Sequence, residues 1–307
     1  MKIIHSAAEF QDFTQKTCLA IGVFDGVHLG HQQVIRQTID DARRHEARSV
    51  VVTFDRHPST IVAPMLAPPA IHTAPQKQRA IAAMGVDALL VIRFDETFSR
   101  IPGEQFIRDL ARDFGRLHSL CVGADFVFGH KRSGNVPLLR HLGQELGFGV
   151  HGLSAVCLDG EMVSSTRIRE SVRSGQIEAA SEMLGRACSI SGLVTRGDGL
   201  GRKLGFPTAN LDTTDLLLPP NGVYAVHASL EGITHRAVLN IGFRPTLQKP
   251  EPQLRVEAHI LDHTRDLYDR ELELIFVEKL REEQRFASIE ALQRQIARDI
   301  EQAKNCF

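Results

Sequence analysis

His28 and His31 stand three residues apart in Gly22-Val23-Phe24-Asp25-Gly26-Val27-His28-Leu29-Gly30-His31, a run in which glycines flank both imidazoles. An apolar stretch, Cys18 to Phe24, leads into it, and Gln32 to His45 follows with Val34, Ile35, Ile39 and Ala42 at helical spacing. Strand, glycine turn and helix in that order bring backbone N–H groups and a helix N-terminus up to a phosphate. Both rings can then lie to one side near the positive end of the helix dipole, where they suit a transferring phosphoryl group. Two plainer readings stay open: His31 as a helix cap with His28 in a solvent loop, or a metal pair. No third ligand at metal spacing accompanies the histidines, which argues against zinc.

A second glycine-rich run, Gly197-Asp198-Gly199-Leu200-Gly201-Arg202-Lys203-Leu204-Gly205, precedes Phe206-Pro207-Thr208-Ala209-Asn210. It lacks the Gly-Lys-Ser/Thr ending of a Walker A loop and the spacing of a dinucleotide fingerprint. Its glycines permit close approach to phosphate, and equally a flexible hairpin. The Thr208 hydroxyl and Asn210 amide are hard oxygen donors of the kind that complete a Mg²⁺ shell shared with ATP phosphates. Ser164-Ser165-Thr166-Arg167-Ile168-Arg169 opens a short helical stretch closed near Gly175, able to cap that helix or to grip an anion. In Leu254 to Leu261, alternation puts Glu257 and His259 opposite Val256, Ala258 and Ile260; solvent exposure is the simplest role for that Glu.

The elements that must position these residues fall into two patterns. Strands at 18–24, 49–54, 88–94 and 119–123 alternate with helices at 32–45, up to Met84, and at 104–114, which predicts a parallel sheet with helices on both faces. The ligand crevice of such a sheet lies beyond the strands' carboxyl ends. The His28/His31 turn, Asp55-Arg56-His57-Pro58, Gly123-Ala124-Asp125 and Ser164–Arg169 all fall there. After a short helix, 177–184, the spacing shifts to strands at 189–196, 223–230, 233–241, 254–261 and 271–278, with a turn at Pro219–Gly222 and a helix from Ser288 to about Lys304. An antiparallel barrel with a closing helix follows. Glu282, Glu283 and Arg285 read as a solvated face, and the domains divide as 1–185 and 186–307.

Composition bounds the partners. The 307 residues suit two cores, and a formal charge of -1 with no long basic tract argues against nucleic acid. The five cysteines are scattered without a CxxC pair and read as reduced, mostly buried thiols. Glu9 and Asp12 interrupt the first residues before any signal-length apolar core, and no run of about 18 apolar residues follows, so no membrane association and a cytoplasmic location are expected. A weak homo-oligomer is compatible with the sequence.

Four motifs in order, G-x-F-D-G-V-H-x-G-H, T-F-D-x-H-P, V-G-x-D-F-x-F-G and S-S-T-R-I-R, resemble the FAD synthetase module of bacterial bifunctional riboflavin kinase/FAD synthetases. Three more, G-D-G-x-G-R-x-L-G-F-P-T-A-N, N-I-G-x-R-P-T and V-E-x-H-I-L-D, are similar to the riboflavin kinase module of the same family. The resemblance implies an α/β chain: a doubly wound, Rossmann-like nucleotidyltransferase domain followed by a β-barrel kinase domain. ATP is the co-substrate, riboflavin and FMN are the other small-molecule substrates, and Mg²⁺ is the cofactor. It implies that His28, His31 and Arg169 act on the triphosphate, with Gly22, Phe24, Asp25, Gly26, Gly30, Ser165, Thr166 and Arg167 around the nucleotide. His57, Pro58 and Asp125 lie near flavin, Asp125 also as a metal contact. In the second module Gly197, Gly199, Gly201 and Arg202 cover the nucleotide, Thr208 and Asn210 hold Mg²⁺, and Glu257 is the base facing the ribityl hydroxyl. Arg56 stands where the family usually has Pro, Gly185-Arg186-Ala187-Cys188 where it has Gly-Arg-Pro-Tyr, and Asp269 where Gly is usual. A different HxGH nucleotidyltransferase and a flavin-binding sensor without turnover are the competing readings.

Overall fold

A computed structural model describes residues 1–9, 15–244, 253–263 and 266–307. Asp12, and Pro245 and Thr246 of the N-I-G-x-R-P-T motif, lie outside the described residues, as do the side chains of Arg244 and Gln253. The chain forms two compact units, one of Met1–Arg167 with Met183–Gly185, the other of Ile168–Glu182 with Arg186–Phe307.

The first unit runs β1 (Lys2–Ile4), β2 (Thr17–Ile21), α1 (Leu29–Arg44), β3 (Arg48–Phe54), α2 (Ser59–Val62), α3 (Ala74–Ala82), β4 (Ala88–Ile92), α4 (Glu96–Ser99), α5 (Gly103–Phe114), β5 (Leu117–Gly123), α6 (Val136–Leu146), β6 (Gly149–Leu153) and the hairpin β7 (Cys157–Leu158)–β8 (Glu161–Met162). The six main strands lie in the order β1-β4-β3-β2-β5-β6, every pair parallel. β2, β3 and β5 are hydrophobic on both faces because helices cover both, and their buried side chains feed two clusters. Leu19, Ile21 and Leu120 pack with α5 and α6, and Ala20, Val51 and Cys121 with α1. From β2 the chain winds toward β4 one way and from β5 toward β6 the other. The switch point therefore falls between β2 and β5, where such sheets open a crevice at their carboxyl ends.

α7 (Ser165–Arg173) begins in the first unit and continues in the second, and α8 (Ile177–Leu184) follows it. The second unit continues with β9 (Ser189–Thr195), α9 (Leu200–Lys203), β10 (Ala209–Leu211), β11 (Gly222–Leu230), β12 (Ile233–Arg244), β13 (Gln253–Ile260), β14 (Glu271–Arg281) and α10 (Ile289–Lys304). The strands close as β10-β13-β12-β11-β14-β9. α10, capped by the Ser288 hydroxyl, lays Ile300 and Ala303 on Val223, Ala225 and Val238. Arg281 clamps it, donating to Asp299 at 2.9 and 2.7 Å, with Asp299 only 2 % exposed. Asp299→Ala strands this guanidinium and is expected to cost about 3 kcal/mol, read as a shift in urea midpoint.

The expected α/β class, parallel first sheet, barrel and closing helix are all present. The barrel has a sixth strand, β10, that alternation over five runs did not predict. Glu282, Glu283 and Arg285 are exposed, as a solvated face requires, and the Glu283 carboxylate also accepts from the Phe243 N–H at 3.0 Å and the Asn221 amide at 3.0 Å.

Candidate functional site

In the first unit the turn after β2 is held in a costly shape. Phe24 and Val27 have φ of 51° and 41°, left-handed values for side-chain-bearing residues, and both are buried, at 2 % and 1 % exposure. The Asp25 carboxylate accepts from the N–H groups of Ile71 and His72 at 3.1 and 3.3 Å, so it pins the turn to the next loop. His28 is the N-cap of α1, its Nδ1 accepting from the His31 N–H at 3.4 Å. A neutral His28 thus carries its proton on Nε2. The two rings stack at 3.6 Å and 19°, and Phe24 meets His31 edge-on at 5.3 Å. Gly30 eases this packing, because a Cβ there would lie 3.2 Å from the His28 ring and press on it. Both imidazoles therefore share one side, and the cap belongs to His28 rather than His31.

The other predicted residues divide. Ser165 donates from Oγ to the Asp25 carbonyl at 3.1 Å, which brings the start of α7 to the turn. Ser164 supplies the cap, accepting from the Arg167 N–H at 3.2 Å, while Thr166 is exposed. Arg167 is committed elsewhere: it pairs with Glu161 at 3.1 Å and donates to the Leu158 and Glu161 carbonyls, which ties it to the β7–β8 hairpin. Arg169, 6 % exposed, lies two residues further along α7, about a turn from Ser165, and belongs to the second unit. Gly22 and Gly26 are buried in the turn. His57 accepts at Nδ1 from the Ser59 N–H at 3.2 Å, beside Pro58 at the start of α2, and Asp125 is exposed beyond β5. Since β2 lies between β3 and β5, the His57 and Asp125 loops flank the histidine turn.

Lys77 escaped the sequence reading. From α3 its Nζ donates to the Phe54 carbonyl at 3.0 Å, Thr53 Oγ1 at 3.3 Å and the Val23 carbonyl at 3.4 Å, bracing the ends of β2 and β3. Burial lowers its pKa, against the opposing pull of Asp25 and Asp55. Asp55 itself is pushed up by burial, but the Phe94 N–H and the Arg56 guanidinium outweigh this and hold it below the usual carboxylate range. A lysine among Gln and Arg on an amphipathic helix gives no signal of such a role.

In the second unit, register builds the site. Asn210 on β10 lies opposite Glu257 on β13, and Glu257 lies opposite Asn240 on β12. Directly opposed residues project to one face, so the three side chains form a row, with Thr208 two residues before Asn210 on the same side. A cavity takes in Thr208, Asn210, Asn240 and Glu257, the glycine run at Gly199 and Gly201, and an apolar wall that includes Val223, Phe286 and Ile300. A second cavity shares Thr208 and adds Arg202, His263, Asp266 and Tyr268 at the barrel mouth. His259, two residues after Glu257, holds the Pro207 carbonyl at 2.8 Å through Nδ1 and so fixes the loop that carries Thr208.

The donor set fits Mg²⁺ on a structural observation. A Cβ on Gly197 would lie 2.3 Å from the Asn210 amide nitrogen, and one on Gly201 3.0 Å from Thr208 Oγ1. Both side chains are thus cradled against bare backbone. Among the described residues no group of three or more His, Cys, Asp or Glu side chains is placed to hold a metal. Neutral oxygens supplemented by phosphates and water are what Mg²⁺ accepts. Gly197→Ala is expected to displace the Asn210 amide, a shift that a crystal structure of the variant would show.

Two family models match in tandem, one described as FAD synthetase over residues 10–167 and one as riboflavin kinase over residues 184–307. The bifunctional riboflavin kinase/FMN adenylyltransferase of Escherichia coli strain K12 is 38% identical over 311 residues, covering 100% of this chain and 98% of its own. This chain belongs to that bifunctional family. The corresponding protein of Haemophilus influenzae is 34% identical over 308 residues, covering 100% of this chain and 99% of its own. A solved structure from Streptococcus pneumoniae, described as a macrolide-efflux protein, has a TM-score of 0.80 at 26% identity and covers 99% of this chain and 98% of its own. Among the described residues no helix is long and apolar enough to cross a membrane. Within the bifunctional family's two matched ranges, the stacked histidines fall in the synthetase model and the Thr208–Asn210–Glu257 row in the kinase model. Arg169 lies in neither.

Proposed function

We infer that this enzyme phosphorylates riboflavin with ATP in its second unit and adenylylates the resulting FMN with a further ATP in its first. The observation that carries the kinase assignment is the row of Asn210 and Glu257 beside Thr208, where a cavity with an apolar wall meets a polar one. The apolar wall suits a flavin ring system, and Arg202 in the second cavity suits a nucleotide polyphosphate. The ribityl 5′-hydroxyl attacks the γ-phosphorus as the bond to the ADP oxygen breaks, and Glu257 accepts the hydroxyl proton. Thr208 and Asn210 would hold Mg²⁺, whose contribution is to offset charge spreading over the phosphoryl oxygens. The glycine run and the backbone fixed by His259 keep the phosphates in line.

In the first unit the nucleophile is an FMN phosphate oxygen, already ionised at neutral pH, so the step needs no strong base. It attacks the α-phosphorus, and the bond to pyrophosphate breaks. His28 and His31 at the start of α1 steady the triphosphate, and Arg169 is assigned to the same charge by the family resemblance of its motif alone. The histidine pair sits at the switch point, where α/β sheets take their ligands. Both substrate sets are small molecules, and a cytoplasmic location belongs to the same proposal. Chromatography of riboflavin, ATP and Mg²⁺ incubated with the enzyme tests the reading: FMN rises first and then gives way to FAD. Flavin that stays bound and unchanged while ATP is not consumed would contradict it.

A further inference from the structure

We propose that Arg255 is a positioning residue that latches the glycine-rich loop over the kinase cavity through Asp198. The proposal rests on the riboflavin kinase reading of the second unit. Arg255 and Glu257 are two apart on β13 and share its cavity-facing side. One guanidinium nitrogen, Nη1, lies 3.0 Å from the Asp198 carboxylate and 3.8 Å from that of Glu257. Arg255 is only 20% exposed, whereas Asp198, in the loop, is 53% exposed. The cation is thus held on the barrel strand and the more exposed partner is the loop's carboxylate. Asp198 stands between Gly197, which lies against Asn210, and Gly199, which opens α9 in the left-handed region without a side-chain cap. Such a loop has little local structure of its own, so an ionic tether weights its closed position.

The geometry also divides the charge. Asp198 takes the closer contact of Nη1, at 3.0 Å, and Glu257 the longer one, at 3.8 Å. Closing the loop brings the glycines over the phosphates, while the barrel-held guanidinium stays beside the base whether or not Asp198 is paired. One side chain thus serves loop and base through two separate contacts.

At this exposure an ion pair shifts an equilibrium by roughly 1.5- to 5-fold, which sets the effect to look for. Asp198→Asn is expected to raise KM for ATP about 3-fold with kcat of riboflavin phosphorylation within about twofold of the parent. Chymotryptic cleavage after Leu200 and Leu204 in the loop should quicken to a similar degree. Arg255→Met should do the same and in addition lower kcat about tenfold, because Glu257 loses its neighbour. The charge reversal Asp198→Arg with Arg255→Asp should recover slow cleavage without recovering kcat. A loop cleaved at the parental rate with unchanged KM in Asp198→Asn overturns the latch, as does a reversal variant cleaved as fast as the single variants. If Glu257→Gln is inactive while Asp198→Asn matches the parent, the latch fails and the kinase reading stands. A fully active Glu257→Gln overturns the reading itself.

Discussion

The His28→Ala enzyme is expected to take riboflavin to FMN and to form FAD only very slowly. Its ring stacks on His31 at 3.6 Å at the N-terminus of α1, so its loss removes one imidazole from the proposed triphosphate site and disturbs the other. Loss of a preorganised group that meets transition-state charge costs about 10²–10³ in rate, so FAD formation from supplied FMN should fall by that factor. Riboflavin phosphorylation should remain at the parental rate. His28 also caps α1, and losing a cap costs about 1 kcal/mol, so the effect needs separating from simple destabilisation. His28→Asn does this, because Asn is a strong N-cap that cannot replace the imidazole. Adenylylation that stays low in His28→Asn supports a role toward the nucleotide; full recovery with Asn would reduce His28 to a cap.

Glu257→Gln gives the mirror image. Gln keeps the length and shape that fit the row between Asn210 and Asn240, but its amide cannot take the hydroxyl proton. General-base loss predicts a fall of about 10²–10⁴ in kcat for riboflavin phosphorylation, with FAD still made from supplied FMN. Radiolabel transfer from γ-labelled ATP measures the first activity and pyrophosphate release the second. Normal phosphate transfer by Glu257→Gln would remove Glu257 from the mechanism.

What was legible in the sequence follows from the range of the forces involved. The alternation of apolar strands with amphipathic helices marked the parallel sheet, since burial on both faces leaves unbroken runs such as Val50–Phe54. The glycine turn announced the histidines because strand, turn and helix are contiguous. β10 was not legible: Ala209-Asn210-Leu211 is too short for periodicity to register, and only pairing with β9 and β13 makes it a strand. Glu257 had no local mark beyond alternation; its significance comes from lying opposite Asn210, a contact between residues distant in sequence. Arg167, which the resemblance places around the nucleotide, also pairs with the carboxylate and carbonyls of a nearby hairpin, partners that residue type does not reveal. Lys77 and His259 act by bracing backbone carbonyls, and such partners leave no trace in residue type.

Two separate polyphosphate sites on one chain make a prediction that a single shared site does not. Mix equal amounts of the His28→Ala and Glu257→Gln enzymes with riboflavin, ATP and Mg²⁺, and follow FAD by chromatography. The first variant supplies FMN, the second consumes it, and the mixture should accumulate FAD that neither variant makes alone. A mixture that yields no more FAD than its better component, while each variant keeps its expected single activity, would contradict independent sites linked by released FMN.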